Sequence, residues 1–251
     1  QLGQDDFTDR ASPTQVGSST NWSKLTGVSS DWCAIDNGTL KCWGFNQFGE
    51  QGNGLAVEIA SPAQIGTATN WTMVTSAMNG VTYYENYCGI AAGKLYCWGM
   101  NRAGETGLGD SSPHTLPTQV GTATNWSIVS MGNGYACGIA GGKLYCWGDN
   151  TNGQLGQGNN IASNVPAQVG TLNTWSMVSA SVPYNGALRS VCGIANGKLY
   201  CWGDNSNGQL GLNNLTAYDT PQQVGARTDW SFIHQSYLSA CGIAGGNLFC
   251  W

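Results

Sequence analysis

Residues 137–147 read Cys-Gly-Ile-Ala-Gly-Gly-Lys-Leu-Tyr-Cys-Trp, and this segment recurs five times along the chain. The cysteines pair off as Cys33 with Cys42, Cys88 with Cys97, Cys137 with Cys146, Cys192 with Cys201 and Cys241 with Cys250. Eight residues separate the two members of each pair, and a tryptophan follows the second. In the first copy the midpoint falls between Asn37 and Gly38, and Asn-Gly is the favoured two-residue hairpin turn. Counting outward, Asp36 faces Thr39, Ile35 faces Leu40, Ala34 faces Lys41, and Cys33 faces Cys42. The cysteines then meet at a non-hydrogen-bonded site, where strands approach closely enough for a disulfide. Each bridge closes a short loop worth about 2–3 kcal/mol in the chain-entropy account. Alternation puts Cys33, Ile35, Leu40 and Cys42 on one face, and sends Tyr145 and Trp147 of the third copy to the other. A sheet apolar on both faces belongs between two neighbours, so the tryptophans read as core.

Working outward, the tryptophans after the second cysteines are Trp43, Trp98, Trp147, Trp202 and Trp251, with steps alternating between 55 and 49 residues. A period near 50 points to a propeller or solenoid. A second set, Trp22, Trp71, Trp126, Trp175 and Trp230, each precedes Ser or Thr. Before each of these comes Pro-x-Gln-(Val/Ile)-Gly, beginning at Pro13, Pro62, Pro117, Pro166 and Pro221. Proline at a strand start or edge is tolerated in a short blade. The fold class expected is all-β: tandem propeller-type blades of antiparallel four-stranded sheets, with one hairpin disulfide per blade. The repeats run 1–49, 50–104, 105–153, 154–208 and 209–251, in a single tandem-repeat region over 1–251.

Composition limits the function classes. The chain has 251 residues, 9% of them charged, with a net charge of −5. It has no basic stripe with which to neutralise phosphates, so nucleic acid is not an expected partner. No run of 18 apolar residues forms a membrane span. The 37 glycines lack a Gly-X-Y period, which excludes collagen. Ten evenly paired cysteines read as a disulfide framework, placing the protein outside the cell or on its surface. Zinc fits poorly: the spacing is wrong, and His114 and His234 are the only histidines.

After each of the first four hairpins comes Trp-Gly-x-Asn-x-x-Gly, as in Trp43-Gly44-Phe45-Asn46 and Trp147-Gly148-Asp149-Asn150. Two copies finish as Gly153-Gln154-Leu155-Gly156 and Gly208-Gln209-Leu210-Gly211. This wording resembles the regulator of chromosome condensation repeat family over essentially the whole chain, most closely its secreted, cysteine-paired bacterial branch. The resemblance implies a β-propeller, commonly of seven four-stranded blades. Fold carries no function by itself. A nuclear exchange-factor role sits badly with ten cysteines. The arginine-rich dimer surface of a plant ultraviolet-B photoreceptor finds only Arg10, Arg102, Arg189 and Arg227 here. A secreted β-lactamase inhibitor, which acts by protein–protein contact through loops on one face, is the nearer functional analogue.

The chain is out of phase with its repeat. Gln1-Leu2-Gly3 matches Gln209-Leu210-Gly211, and the last copy stops at Trp251. The reading adopted is a window from a longer array; the alternative is five blades closing a ring with the N-terminus completing the last. The extra residues of the longer repeats lie between Trp and the first Cys, around 79–85 and 182–189. Strict alternation of repeat length does not fit an odd-bladed ring. The function expected is a non-catalytic structural or interaction protein, a subunit of a disulfide-stapled surface fibre or adhesin. The alternative is a discrete secreted propeller that binds or inhibits a partner protein or glycan through its loops.

No catalytic constellation, cofactor motif or metal site is read from the sequence. Residues 149–153 and 204–208 lack the closing Glu of a calcium loop, and a turn held by Asn side chains is expected instead. The partner itself is expected to be another copy, a protein or a glycan. The candidate partner-binding residues are Tyr83, Tyr84, Tyr87, Tyr184, Leu188 and Arg189, since Tyr and Arg favour interfaces. Asn-x-Ser/Thr sequons mark Asn21, Asn70, Asn125 and Asn214 as candidate glycan acceptors, with Asn37 held in a tight turn.

Overall fold

Asn37 and Gly38 adopt φ of 47° and 77°, and the two central residues of every other hairpin turn are also positive. That is the type I′ geometry whose twist matches flanking strands. The computed structural model describes residues 2–6, 8–79, 84–182 and 188–251. Around the first turn the register is Asp36 opposite Thr39, Ile35 opposite Leu40, Ala34 opposite Lys41 and Cys33 opposite Cys42. All five hairpins carry their disulfide. Cys33 is bonded to Cys42, Cys88 to Cys97, Cys137 to Cys146, Cys192 to Cys201 and Cys241 to Cys250, each pair with Cα atoms 4.1 Å apart.

Each hairpin is the middle of an antiparallel meander. Blade 1 holds β1 (Trp22–Val28), β2 (Asp31–Asp36), β3 (Thr39–Gly44) and β4 (Ile59–Gln64). Blade 2 holds β5 (Trp71–Asn79), β6 (Tyr84–Ala91), β7 (Lys94–Gly99) and β8 (His114–Gln119). Blade 3 holds β9 (Trp126–Gly132), β10 (Tyr135–Ala140), β11 (Lys143–Gly148) and β12 (Ser163–Gln168). Blade 4 holds β13 (Trp175–Ala180), β14 (Ser190–Ala195), β15 (Lys198–Gly203) and β16 (Tyr218–Gln223). Blade 5 has three strands: β17 (Trp230–Gln235), β18 (Ala240–Ala244) and β19 (Asn247–Cys250). The expected tandem blades of antiparallel strands are present, four of them four-stranded and blade 5 three-stranded among the described residues. The prolines Pro62, Pro117, Pro166 and Pro221 all sit in the outer edge strands, where a missing N–H breaks no ladder.

The core is a series of layers between blades. Cys33, Ile35, Leu40 and Cys42 of blade 1 pack on Trp71, Val74, Tyr87 and Trp98 of blade 2. Cys88, Ile90, Leu95 and Cys97 of blade 2 pack on Trp126, Val129, Ala136 and Trp147 of blade 3. Cys137, Ile139, Leu144 and Cys146 of blade 3 pack likewise on Trp175, Val178, Val191 and Trp202 of blade 4. Cys192, Ile194, Leu199 and Cys201 of blade 4 then meet Trp230, Ile233 and Ala240 of blade 5. So the disulfide face of each blade meets the tryptophan face of the next, as the two-faced apolar pattern requires. Burying one such Leu or Ile contributes about 1.5–3 kcal/mol. The indole N–H groups direct the join. Trp98, Trp147, Trp202 and Trp251 donate to the backbone carbonyls of Glu50, Glu105, Gln154 and Gln209 in the preceding blade, at 2.8–3.0 Å. Gly3 lies against Trp43 as Gly52 lies against Trp98, so Leu2-Gly3 occupies the place of a repeat tail.

The innermost strands β1, β5, β9, β13 and β17 stand side by side. Thr26 and Ser76 share a hydroxyl hydrogen bond of 2.7 Å. Ser130 Oγ accepts from Ala180 N, and Ser179 Oγ from Gln235 N. These small hydroxyls stitch neighbouring blades where larger side chains would not fit.

Candidate binding surface

In an antiparallel meander, the connections after the first and third strands leave from one face, and those after the second and fourth leave from the other. The first face carries the Trp-Gly-x-Asn loops. Each loop is held from inside by its asparagine. Asn46 Oδ1 accepts from Gln51 N, while its Nδ2 donates to the carbonyls of Leu55 and Val57. Asn150 Nδ2 donates to the carbonyls of Asn159 and Ile161, and Asn205 Nδ2 to those of Asn214 and Thr216. All three asparagines are buried, so the loops are rigid platforms. Their tips expose aliphatic side chains: Leu55, Val57, Ile161 and Leu215 are each at least 60% accessible. The repeat motifs alone do not single out these residues. Their signal is the variable, apolar stretch between the Gly-Gln-Leu-Gly turn and the proline, where the repeat is otherwise polar.

The inner strands line a channel of about 700 Å³. Thr75, Ser76, Ser130, Ser179, His234 and Gln235 contribute to its wall. His114 lies on an outer strand instead, with Nε2 3.0 Å from Asp110. The two histidines therefore belong to different blades and do not share a site. The contact with His114 holds the Asp110 carboxyl below its ordinary value. Among the described residues, no group of three or more His, Cys, Asp or Glu is placed to hold a metal ion.

The candidate partner-binding residues do not converge. Tyr83, Tyr184 and the side chain of Tyr84 lie outside the described residues. Tyr87 is corrected: it is wholly buried, stacked on Trp98 at 5.7 Å with an interplanar angle of 11°. Alternation places it on the tryptophan face, inside the joint between blades 1 and 2. Leu188 is half-buried with φ of 63°. Arg189 is tied down, with its guanidinium paired to Asp149 and its Nε donating to Asn133 O at 2.7 Å. It bolts blade 4 to blade 3. The sequon residues Asn21, Asn70, Asn125 and Asn214 are all exposed. The first three lie on the face of the hairpin turns, and Asn214 lies on the opposite one.

One buried acidic group stands out. Asp31, at the start of β2, is fully buried, as are Glu50 and Tyr87. Neither carboxylate oxygen of Asp31 has a well-formed hydrogen bond. Burial pushes its pKa up to about 8; the neighbouring Tyr87 hydroxyl opposes this, and the Glu50 charge adds to it. Burial raises Glu50 as well. Asp31 therefore holds its proton in the folded state but not, near neutral pH, in the unfolded one. Its contribution is full below the ordinary carboxyl pKa and is lost as pH rises toward 8. The expected slope is at most about 1.4 kcal/mol per pH unit for one proton. Asp31→Asn should flatten the pH 5–8 stability profile, measured by denaturant melts. An unchanged slope would place the titration elsewhere.

Three segments of the chain, residues 92–139, 141–188 and 196–242, match the regulator of chromosome condensation (RCC1) repeat. The ultraviolet-B receptor UVR8 of Arabidopsis thaliana is 26% identical over 135 residues, covering 48% of this chain and 28% of the receptor. Among solved structures, human WBSCR16 superposes with a TM-score of 0.74 at 18% identity, covering 94% of this chain and 60% of that one. Prp20p of Saccharomyces cerevisiae, described together with its binding to Gsp1p and histones, gives 0.74 at 18% identity, over 96% and 60%. The chain spans less than two thirds of each of these relatives. At such identities the structural matches speak to the fold alone.

Proposed function

Because this chain belongs to the regulator of chromosome condensation repeat family, whose propeller fold presents loops on rigid blades, we propose that it is a non-catalytic extracellular interaction protein. Its role is that of a structural subunit in a surface fibre or adhesive array. The observation that carries this reading is that all ten cysteines are paired, one bridge per blade, with no free thiol among them. Local bridges in every repeat suit an oxidising environment and a durable assembly. Among the described residues, no helix is long and apolar enough to cross a membrane. The exposed sequons at Asn21, Asn70, Asn125 and Asn214 are the proposed glycan acceptors.

The test is the intact mass of the native protein, taken without reductant and after glycosidase treatment. The expected mass is lower by ten protons than that of the reduced chain. Free thiols would overturn the compartment.

A second reading is supported by the braced loop tips. The exposed Leu55, Val57, Ile161 and Leu215 would give a discrete propeller apolar loop contacts for a partner protein or glycan. Replacing Ile161 and Leu215 by Asp would then abolish capture of that partner and leave the fold intact.

A further inference from the structure

The tryptophan face of blade 3 carries a groove at the outer rim, beside the end of β8. Gly138 makes room for it. A Cβ there would meet Trp126 Cζ3 at 2.8 Å, so only glycine lets the indole lie across the strand at that point. Tyr145, opposite Gly138 in the register, packs on the indole with ring centroids 5.6 Å apart and planes tilted by 58°. Lys143 stands two residues before Tyr145, so it shares that face of β11. With Gln119, Ala123 and Asn125 these side chains line a groove of about 590 Å³, a size typical of small-ligand sites. Tyr145 is half-buried and Lys143 is exposed. Blade 2 repeats the set: Tyr96 packs on Trp71 at 5.5 Å, and Lys94 precedes it by two residues. Neither Lys94 nor Lys143 has an ion-pair partner among the described residues.

Blade 5 shows what such an aromatic platform accepts. There Phe249 stands in place of the tyrosine and Asn247 in place of the lysine, with Phe249 5.4 Å from Trp230. Arg227, three residues before that tryptophan, lays its guanidinium 5.2 Å from the Phe249 centroid. The same guanidinium donates to the Asp229 carboxylate at 3.0 and 2.7 Å. A flat group with a carboxylate beside it therefore covers the ring. Blades 2 and 3 have Ala68 and Ala123 at the arginine's position, and the neutral Asn70 and Asn125 at the aspartate's. Their platforms stay uncovered, and a cation stands at the edge instead. Blade 4 keeps Lys198 and Tyr200 but has Leu172 at the alanine position.

We propose that the grooves of blades 2 and 3 each bind one uronic acid unit of an acidic polysaccharide. The C–H face of the sugar ring lies on Tyr96 or Tyr145, against the electron-rich face of the aromatic ring. Its carboxylate pairs with Lys94 or Lys143 and supplies the charge those lysines lack. In blade 3 the side chain of Asn125 faces the sugar hydroxyls. A neutral sugar would leave the lysine unpaired, and a cationic ligand would be repelled by it. Two equivalent grooves on adjacent blades let one polymer engage both, so the second contact gains from effective concentration.

The inference deepens the adhesive reading by naming its ligand class, and it rests on that reading. Because Asn70 and Asn125 also head sequons, the test uses the full chain made in a host that adds no N-glycans, with its five disulfides verified by mass. Calorimetric titration is run with a short oligogalacturonate and with the same oligomer after its carboxyls are reduced to alcohols. The charged oligomer should bind more tightly, and its affinity should fall with added salt. Lys94→Gln combined with Lys143→Gln should remove both the preference and the salt dependence. Tyr96→Ala combined with Tyr145→Ala should weaken binding about tenfold or more, a change equivalent to about 1.4 kcal/mol. Arg102→Glu, an exposed charge change outside the grooves, should bind as the wild type does. No binding by the mass-verified chain would overturn the proposal while leaving the extracellular reading on its disulfides. Equal affinity for the two oligomers, or affinity unmoved by the paired lysine change, would overturn it too.

Discussion

Trp147→Ala is expected to lower unfolding stability by about 3–5 kcal/mol, the range for deleting a buried large aromatic. Trp147 is completely buried in the layer between blades 2 and 3. It packs edge-on against Trp126 at 6.0 Å. Its Nε1 donates to Glu105 O across the blade boundary. The substitution opens a cavity and also orphans that carbonyl, and the two costs add. Trp147→Phe keeps most of the volume and removes only the N–H, so it should cost distinctly less. Trp22→Ala supplies the contrast, because Trp22 is only half-buried on blade 1. Denaturant melts of the three variants decide the matter. Equal losses for Trp147 and Trp22 would mean that the inter-blade layer is not the principal core.

Gly156→Ala should rival that effect from the other side of the same kind of joint. Gly156 has φ of 69°, and a Cβ there would meet Trp202 Nε1 at 2.8 Å and Val169 at 3.0 Å. The left-handed backbone alone costs an alanine about 1–2 kcal/mol. The collision displaces the indole from the carbonyl of Gln154 that it bonds. Gly170→Ala is the control, since it has φ of 58° with nothing within 4 Å. The difference between the two melts isolates the contact from the backbone strain. A Gly156 variant no worse than the Gly170 variant would mean that the indole yields freely.

Much of the fold is legible in the sequence, for a physical reason. A period-two alternation across a two-residue Asn-Gly turn leaves one register, so the pairing of Cys33 with Cys42 and the two apolar faces follow from counting. Repetition then carries that geometry to the other copies, Cys88 with Cys97 and Cys192 with Cys201 among them, and defines the blade-on-blade core. The surface resists the same treatment. Tyr87 reads as an interface residue because Tyr favours interfaces, yet its parity already places it on the tryptophan face. Asp31 has no such signal. Its counterparts are Asn86, Tyr135 and Ser190, and only the joint with blade 2 makes it a desolvated acid. Arg189 reads as an outward anchor, but its partners Asp149 and Asn133 come from another blade, at a distance the sequence does not encode. Leu55, Ile161 and Leu215 become visible only once the asparagine braces show which way the loops are held.

The bridges have a mechanical consequence. Each joins residues nine positions apart within one blade, so no disulfide crosses from blade to blade and only the backbone connects them covalently. Pulled from its two ends, the chain would yield in steps, one blade at a time. Each step would release the inner and outer strands with their connecting loops. The stapled loop would stay locked, because load along the backbone passes through the sulfurs and bypasses the hairpin turn. A reducing agent would lengthen every step by the same small increment without changing the number of steps. Such a molecule would behave as a string of sacrificial links whose extensions alternate with the 49- and 55-residue repeats.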